Sequence, residues 1–188
     1  MTDPLRSRPY HHGNLAAAAI AAAEVEIGRH GIADASLRKV ADRAGVSHTA
    51  VGKRFGDKAG LLAALAAEGY RVLGEGLGAA AGDLRAMGRA YVEFALQRPA
   101  LFAVMFQPTV YRADDPGVVA ARATTTALLR QGVRHPPTDS QTSATGLGAW
   151  AFVHGIAALV LGGAIEGDAM ELYERAARAL FPAGPPAV

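Results

Sequence analysis

The chain is expected to be all-α, with about nine helices. A small three-helix unit containing a helix-turn-helix stands at the N-terminus, followed by a long helix and a larger set of helices. Three observations predict this. Apolar residues recur at three- and four-residue spacings through most of the 188 residues, and no stretch alternates with the period of a strand. Glycine and proline punctuate these runs, and Ser, Asp or Asn precedes several of them, where a side chain can cap the first turn. The stretch Ala35 to Lys58 holds two short capped helices around a glycine turn, which is the pattern of a helix-turn-helix.

Taken in order, residues 1–13 carry two prolines, Arg6 and Arg8 and no helical period, so a flexible arm is expected there. Asn14 is placed to cap a first helix that runs to about His30, ahead of a Gly31 stop, with Leu15, Ala19, Ala22, Ala23 and Ile27 as its apolar face. Ser36 caps the next helix, in which Leu37, Val40, Ala41 and Ala44 form one stripe, and Gly45 ends it. Ser47 caps a third helix to about Phe55, with Val51 and Phe55 inward and His48, Thr49, Gly52 and Lys53 outward.

A long helix follows from Lys58 to about Ala81. Leu61, Leu62, Leu65, Tyr70 and Leu73 face its core side, and Gly74, Gly76 and Gly78 are expected to fray its far end. Asp83 caps a helix with Leu84, Met87, Tyr91 and Phe94 inward, which Arg98-Pro99 ends. Residues 100–106 make a short apolar helix, 114–117 a turn, and 118 to about 133 another helix. The loop from His135 is broken by Pro136 and Pro137.

Residues 140–165 are 26 in a row without Lys, Arg, Asp or Glu, long enough to span a bilayer. Polar Ser140-Gln-Thr-Ser143, frequent glycine, His154 and the lack of a flanking basic cluster argue instead for a helix buried on most sides inside an assembly. No membrane role is expected. The last helix, Asp168 to Phe181, has Met170, Leu172, Tyr173, Ala177 and Leu180 inward, and a loose Pro-rich tail follows over 182–188.

Composition narrows the function classes. Cysteine is absent, which removes disulfides and Cys-ligated zinc, and no basic-then-apolar leader opens the chain, so a cytoplasmic protein is expected. The net charge of +2 is uneven: residues 1–60 hold nine Lys/Arg against six Asp/Glu, and the remainder ten against eleven. A positive N-terminal third suits a phosphate-binding end. His11-His12 lacks a companion at ligand spacing, so no metal is expected. There is no Gly-x-Ser-x-Gly elbow and no phosphate-cradling glycine loop after a strand. Asp114-Asp115 falls in a turn where solvation explains it. Neither an enzyme nor a cofactor is expected.

The segment Leu37-Arg-Lys-Val-Ala-Asp-Arg-Ala-Gly-Val-Ser47, followed by Phe55-Gly-Asp-Lys58 and Leu61-Leu62, resembles the N-terminal domain of TetR-type transcriptional repressors, densely over about residues 10–70. Trp150-Ala-Phe-Val-His154-Gly155 is similar to the C-terminal domain of one subgroup of that family. The resemblance implies a DNA-binding domain over 14–57 and a ligand-binding and dimerisation domain over 58–181, with the long helix connecting them. It implies a homodimer through the last two helices, on a pseudo-palindromic double-stranded operator from which a small-molecule effector releases a repressor. Family members usually carry Tyr where this chain has Gly52, so the alternative is a small-molecule-binding dimer with a weakened DNA-binding head.

For base contacts the candidates are His48 and Thr49 at the N-terminal end of the recognition helix, with Lys53 next along its exposed face. Ser36, Arg38, Arg54 and Lys58 are candidates for phosphate contacts, with Ser47 and Gly52 in the same interface. The effector pocket expected from the resemblance is walled by Phe94, Phe102, Met105, Phe106, Leu128, Trp150 and His154. None of these carries a fixed charge, which suggests an apolar or weakly polar effector.

Overall fold

The computed structural model describes residues 12–131 and 144–181, with side chains from Leu15 to Arg130 and from Gly146 to Phe181. Among these residues nine α-helices are present and no strand. The helices are α1 (His12–Asp34), α2 (Leu37–Ala44), α3 (His48–Phe55), α4 (Lys58–Ala79), α5 (Leu84–Gln97), α6 (Pro99–Met105), α7 (Pro116–Gln131), α8 (Ala144–Leu161) and α9 (Ala169–Leu180). The expected arm before His12, the proline loop and the tail lie outside the described residues.

Helix α1 starts ahead of the expected cap: Asn14 lies inside it, and His12 and Gly13 are helical rather than part of an arm. Leu15 is buried already in the first turn, which anchors the start of the helix. The regular helix breaks at Gly31, whose φ of 79° is open to glycine and costly for other residues. Helices α2 and α3 pack against α1 and against each other, enclosing Ala19, Ala23, Val40, Ala41 and Val51.

Helix α4 leaves this head and runs through the body, packed against α5, α6 and most extensively α7. It does not fray where the glycines begin. Gly74 is buried, and a Cβ there would stand 3.1 Å from Thr125 Oγ1; a Cβ on Gly69 would stand 2.4 Å from Met105 Sδ. At those two positions glycine is the residue that allows close helix approach. Helices α8 and α9 close the body over α5, with Tyr173 of α9 donating its hydroxyl proton to the carbonyl of Arg85 at 2.6 Å.

Two boundaries differ from expectation for a local reason. Helix α7 opens at Pro116, not Val118, because Asp115 accepts from Gly117 N at 2.9 Å and Val118 N at 3.4 Å, and proline suits a first-turn position. Helix α8 is less enclosed than expected: Leu147, Trp150, Leu159 and Leu161 are exposed in the isolated protomer. Leu180, expected inward on α9, is 61% exposed in the last turn of that helix. Among the described residues no helix is long and apolar enough to cross a membrane.

Buried side chains form one contiguous cluster from Ala19 to Ala177. Head and body are thus packed together, with α4 and α6 both touching α1.

Candidate nucleic-acid interface and body cavity

The local sequence builds the reading head by capping. Ser36 Oγ accepts from Lys39 N at 3.3 Å, and Ser47 Oγ accepts from Ala50 N at 3.1 Å. Each bond satisfies an amide that the first turn of a helix leaves free. Between them Gly45 sits in the left-handed region (φ 66°, ψ 30°) and returns its N–H to the carbonyls of Ala41 and Asp42. That turn sets α3 across α2, with Val51 and Phe55 buried beneath it.

His48, Thr49, Lys53 and Arg54 are all exposed on α3, and Arg38 is exposed on α2. Arg54 lies over the ring of Phe55, 5.1 Å from its centroid, a cation–π contact that orients the guanidinium. Gly52 is half-buried on the same helix, and a Cβ there would meet nothing within 4 Å. Lys58 is tied differently: its Nζ donates to Ala33 O at 2.7 Å, and Lys39 Nζ donates to Asp34 O at 3.1 Å. The two ammonium groups bind the last carbonyls of α1. Lys39 was not among the expected residues, because its hold on the end of α1 crosses the Ala35-Ser36 turn and leaves no mark on the apolar stripe of α2.

Ion pairs tie the head together and to the body. Arg43 Nε donates to Glu26 at 2.5 Å and holds that carboxyl below the usual carboxylate range. Arg98, between α5 and α6, makes a two-pronged pair with Glu24 of α1 at 2.6 and 2.7 Å. Arg112 donates to Asp57, the cap of α4, at 2.6 Å. Asp57's carboxyl is held low first by the Gly60 amide it accepts from, and also by Arg112.

In the body, two adjacent cavities of about 160 Å³ and 240 Å³ share Tyr91, Thr126, Leu129 and Trp150 as lining. Of the seven expected wall residues, Met105, Phe106 and Trp150 line them. His154 and Phe102 stand behind, in a ring cluster with centroid distances of 5.2 Å to each other and 4.6 Å (His154) and 5.0 Å (Phe102) to Phe106. Phe94 is core and lines neither cavity; Leu128 sits over Gly74 and Gly78 of α4, and its neighbour Leu129 takes the wall position.

Tyr91 organises the polar side. Trp150 Nε1–H can only donate, and it points at the Tyr91 oxygen at 3.4 Å; with His154 as the Nε2–H tautomer, the Tyr91 proton goes to His154 Nδ1 at 3.0 Å. Burial lowers the pKa of His154 and keeps the imidazole neutral, as this acceptor role requires, and raises that of Tyr91. Sequence reasoning placed Tyr91 as core and stopped there; a buried tyrosine hydroxyl that needs a partner was the available signal. It also missed Arg85, Arg122 and Arg130, which line the cavities from α5 and α7.

Comparison with known proteins gives two family matches. Residues 84–180 match the family described as "Tetracyclin repressor-like, C-terminal domain", and residues 19–65 match "Bacterial regulatory proteins, tetR family". A protein of unknown function from Rhodococcus sp. RHA1 is 33% identical, with 92% of this chain and 96% of that one covered and a TM-score of 0.75. SCO4313, described as a candidate regulatory protein, is 25% identical over 93% of this chain and 98% of its own, also at 0.75. PfmR of Thermus thermophilus, a TetR family transcriptional regulator, is 17% identical over 84% and 93% at 0.64, a likeness of fold alone. No curated protein matches the chain.

Proposed function

The chain belongs to the TetR family of bacterial transcriptional regulators, and from that premise we propose that it is a homodimeric repressor released from its operator by a small molecule. The observation that carries the DNA-reading half is the doubly capped pair α2 and α3 with His48, Thr49 and Lys53 exposed together on α3. On this reading residues 14–57 are the reading head and 58–181 the sensing and dimerising body. His48, Thr49 and Lys53 contact base edges; Ser36, Arg38, Ser47 and Arg54 contact or position against phosphates. Lys58 reaches the phosphate backbone by giving up its hold on Ala33, and Gly52 lets the backbone approach the groove closely.

Two heads, one per protomer, would enter successive major grooves about 34–36 Å apart on a pseudo-palindromic site. Support for a seam built from α8 and α9 comes from Leu147, Leu159, Leu161 and Leu180, which stay exposed on the isolated protomer. Support for sensing comes from α6. One side of it supplies Met105 to the cavity, and Arg98 at its start grips Glu24 of the head. An effector that favours a different seating of α6 needs a coupling of only about 1–3 kcal/mol to change operator affinity 5–150-fold.

The test is binding of the purified protein to the intergenic DNA beside its own gene, across a salt series. Affinity about 10³-fold or more above random DNA, with a steep salt slope, is the expected result. Equally weak binding to that DNA and to a genomic fragment library would overturn the sequence-specific reading and leave the small-molecule-binding dimer.

A further inference from the structure

We infer that the ligand of the body cavity is a small organic monoanion, an apolar-bodied carboxylate, whose charged end is held by Arg122. This rests on the reading above only in taking the cavity as the effector site. The titratable walls are one-signed: Arg85 and Arg130 line the smaller cavity and Arg122 the larger, and among the described residues no Asp or Glu lines either. The body as a whole has no such bias, since residues 61–188 hold eleven acidic residues against ten basic ones.

The three arginines are not equivalent. Arg85 donates to Glu174 at 3.0 Å, a carboxylate it shares with Arg89 and Arg178. Arg130 stands at the edge of the described residues. Arg122 is exposed at the mouth of the larger cavity and has no ion-pair partner among the described residues. The hydroxyls around it are largely committed: Tyr111 donates to Met105 O at 3.0 Å, Thr125 to Tyr70 O at 2.7 Å, and Tyr91 to His154. Burial pushes Tyr70 up to about 12, so it stays a neutral phenol rather than a competing anion.

A planar guanidinium beside a cavity offers a carboxylate two parallel hydrogen bonds. Beyond it Leu73, Met105, Phe106, Leu129 and Trp150 form an apolar wall with no fixed charge, which suits a hydrocarbon or aromatic body. Arg122 is the one cationic residue lining the larger cavity among the described residues, which matches a single negative charge. A cationic ligand would meet Arg122 and, among the described residues, no acidic wall residue.

Trp150 is the only tryptophan in the chain and lines both cavities, so its fluorescence reports occupancy. The full-length protein is titrated with octanoate and benzoate, with 1-octanol and benzyl alcohol as neutral counterparts, and with octylamine. Saturable binding of at least one carboxylate, tighter by tenfold or more than its alcohol, with the amine weakest, is expected. Arg122→Met should weaken carboxylate binding by roughly ten- to hundredfold and leave the alcohol unchanged. Equal affinity for alcohol and carboxylate, unchanged octanoate binding by Arg122→Met, or no saturable response to any probe would each overturn the inference. If Arg122→Met does not fold, the wild-type selectivity series decides alone. Operator release is measured in parallel. Carboxylate selectivity without release keeps the anion site and removes the effector reading; release only by the neutral probes does the reverse.

Discussion

Gly52 and Gly60 lie eight residues apart and respond oppositely to the same added methyl group. At Gly52 a Cβ would meet nothing within 4 Å, so glycine there only costs helix stability. Gly52→Ala should raise the stability of the protein by about 1 kcal/mol, seen as a higher melting temperature. Gly52→Tyr should fold equally well and bind operator DNA more tightly, since family members usually carry Tyr at this place and the space for it is open. At Gly60 a Cβ would stand 2.0 Å from the carbonyl oxygen of Phe55, a backbone atom that cannot step aside. Gly60→Ala should therefore cost about 1–3 kcal/mol or more in denaturant unfolding. His154 adds a pH dependence. Burial lowers its folded pKa below the ordinary 6.5, so the folded state binds fewer protons than the unfolded one. The stability contributed by the neutral ring is complete above about 6.5 and is lost as pH falls through the folded pKa. Denaturant melts from about pH 7.5 downward should show this loss in the wild type and less of it in His154→Asn.

At the scale of elements, α6 has two duties in seven residues. It carries Phe102 and Met105 toward the ring cluster and cavity, and it begins at the Arg98–Glu24 pair that touches the head. Glu24→Gln should lower thermal stability by no more than about 1 kcal/mol, because both partners are partly exposed and such pairs are screened. It should have a larger effect on how strongly effector and operator oppose each other, measured as the ratio of operator affinities with and without ligand. The head was legible in the sequence because its signals are local: Ser36, Gly45 and Ser47 each announce a cap or a turn close to where it acts. The cavity was not, because α4, α5, α6, α7 and α8 each contribute only a few side chains to it. Met105, Phe106 and Trp150 could be guessed from the resemblance and their bulk. Arg122 could not, since a lone arginine on a half-polar helix has the same pattern whether it faces solvent or a cavity mouth. The glycines of α4 show the opposite error: Gly74, Gly76 and Gly78 suggested a fraying end, whereas the helix runs to Ala79 and close contact with Thr125 explains Gly74.

For the whole molecule, the proposed seam can be separated from the fold of the protomer by the sign of two measurements. Along α8, Gly148, Ala151, Gly155 and Ala158 recur at spacings of three and four, and Leu147, Leu159 and Leu161 flank them exposed. Within the protomer a Cβ at Gly148 or Gly155 would meet nothing within 4 Å, so nothing in a single chain calls for glycine there. A second chain packed along this line would supply the reason, because small residues let two helix backbones approach. Gly155→Leu then acts in opposite directions on the two levels. It improves helix propensity by up to about 1 kcal/mol and should leave the isolated protomer folded, with unchanged helical circular dichroism at low concentration. It should drive sedimentation velocity toward the monomer, because the added side chain occupies the space of the partner helix. Operator affinity should fall with it, since two joined heads gain an effective concentration that separate heads lack, worth about 10²–10⁴ in binding. A folded Gly155→Leu protein that still sediments as a dimer would place the seam elsewhere on the surface.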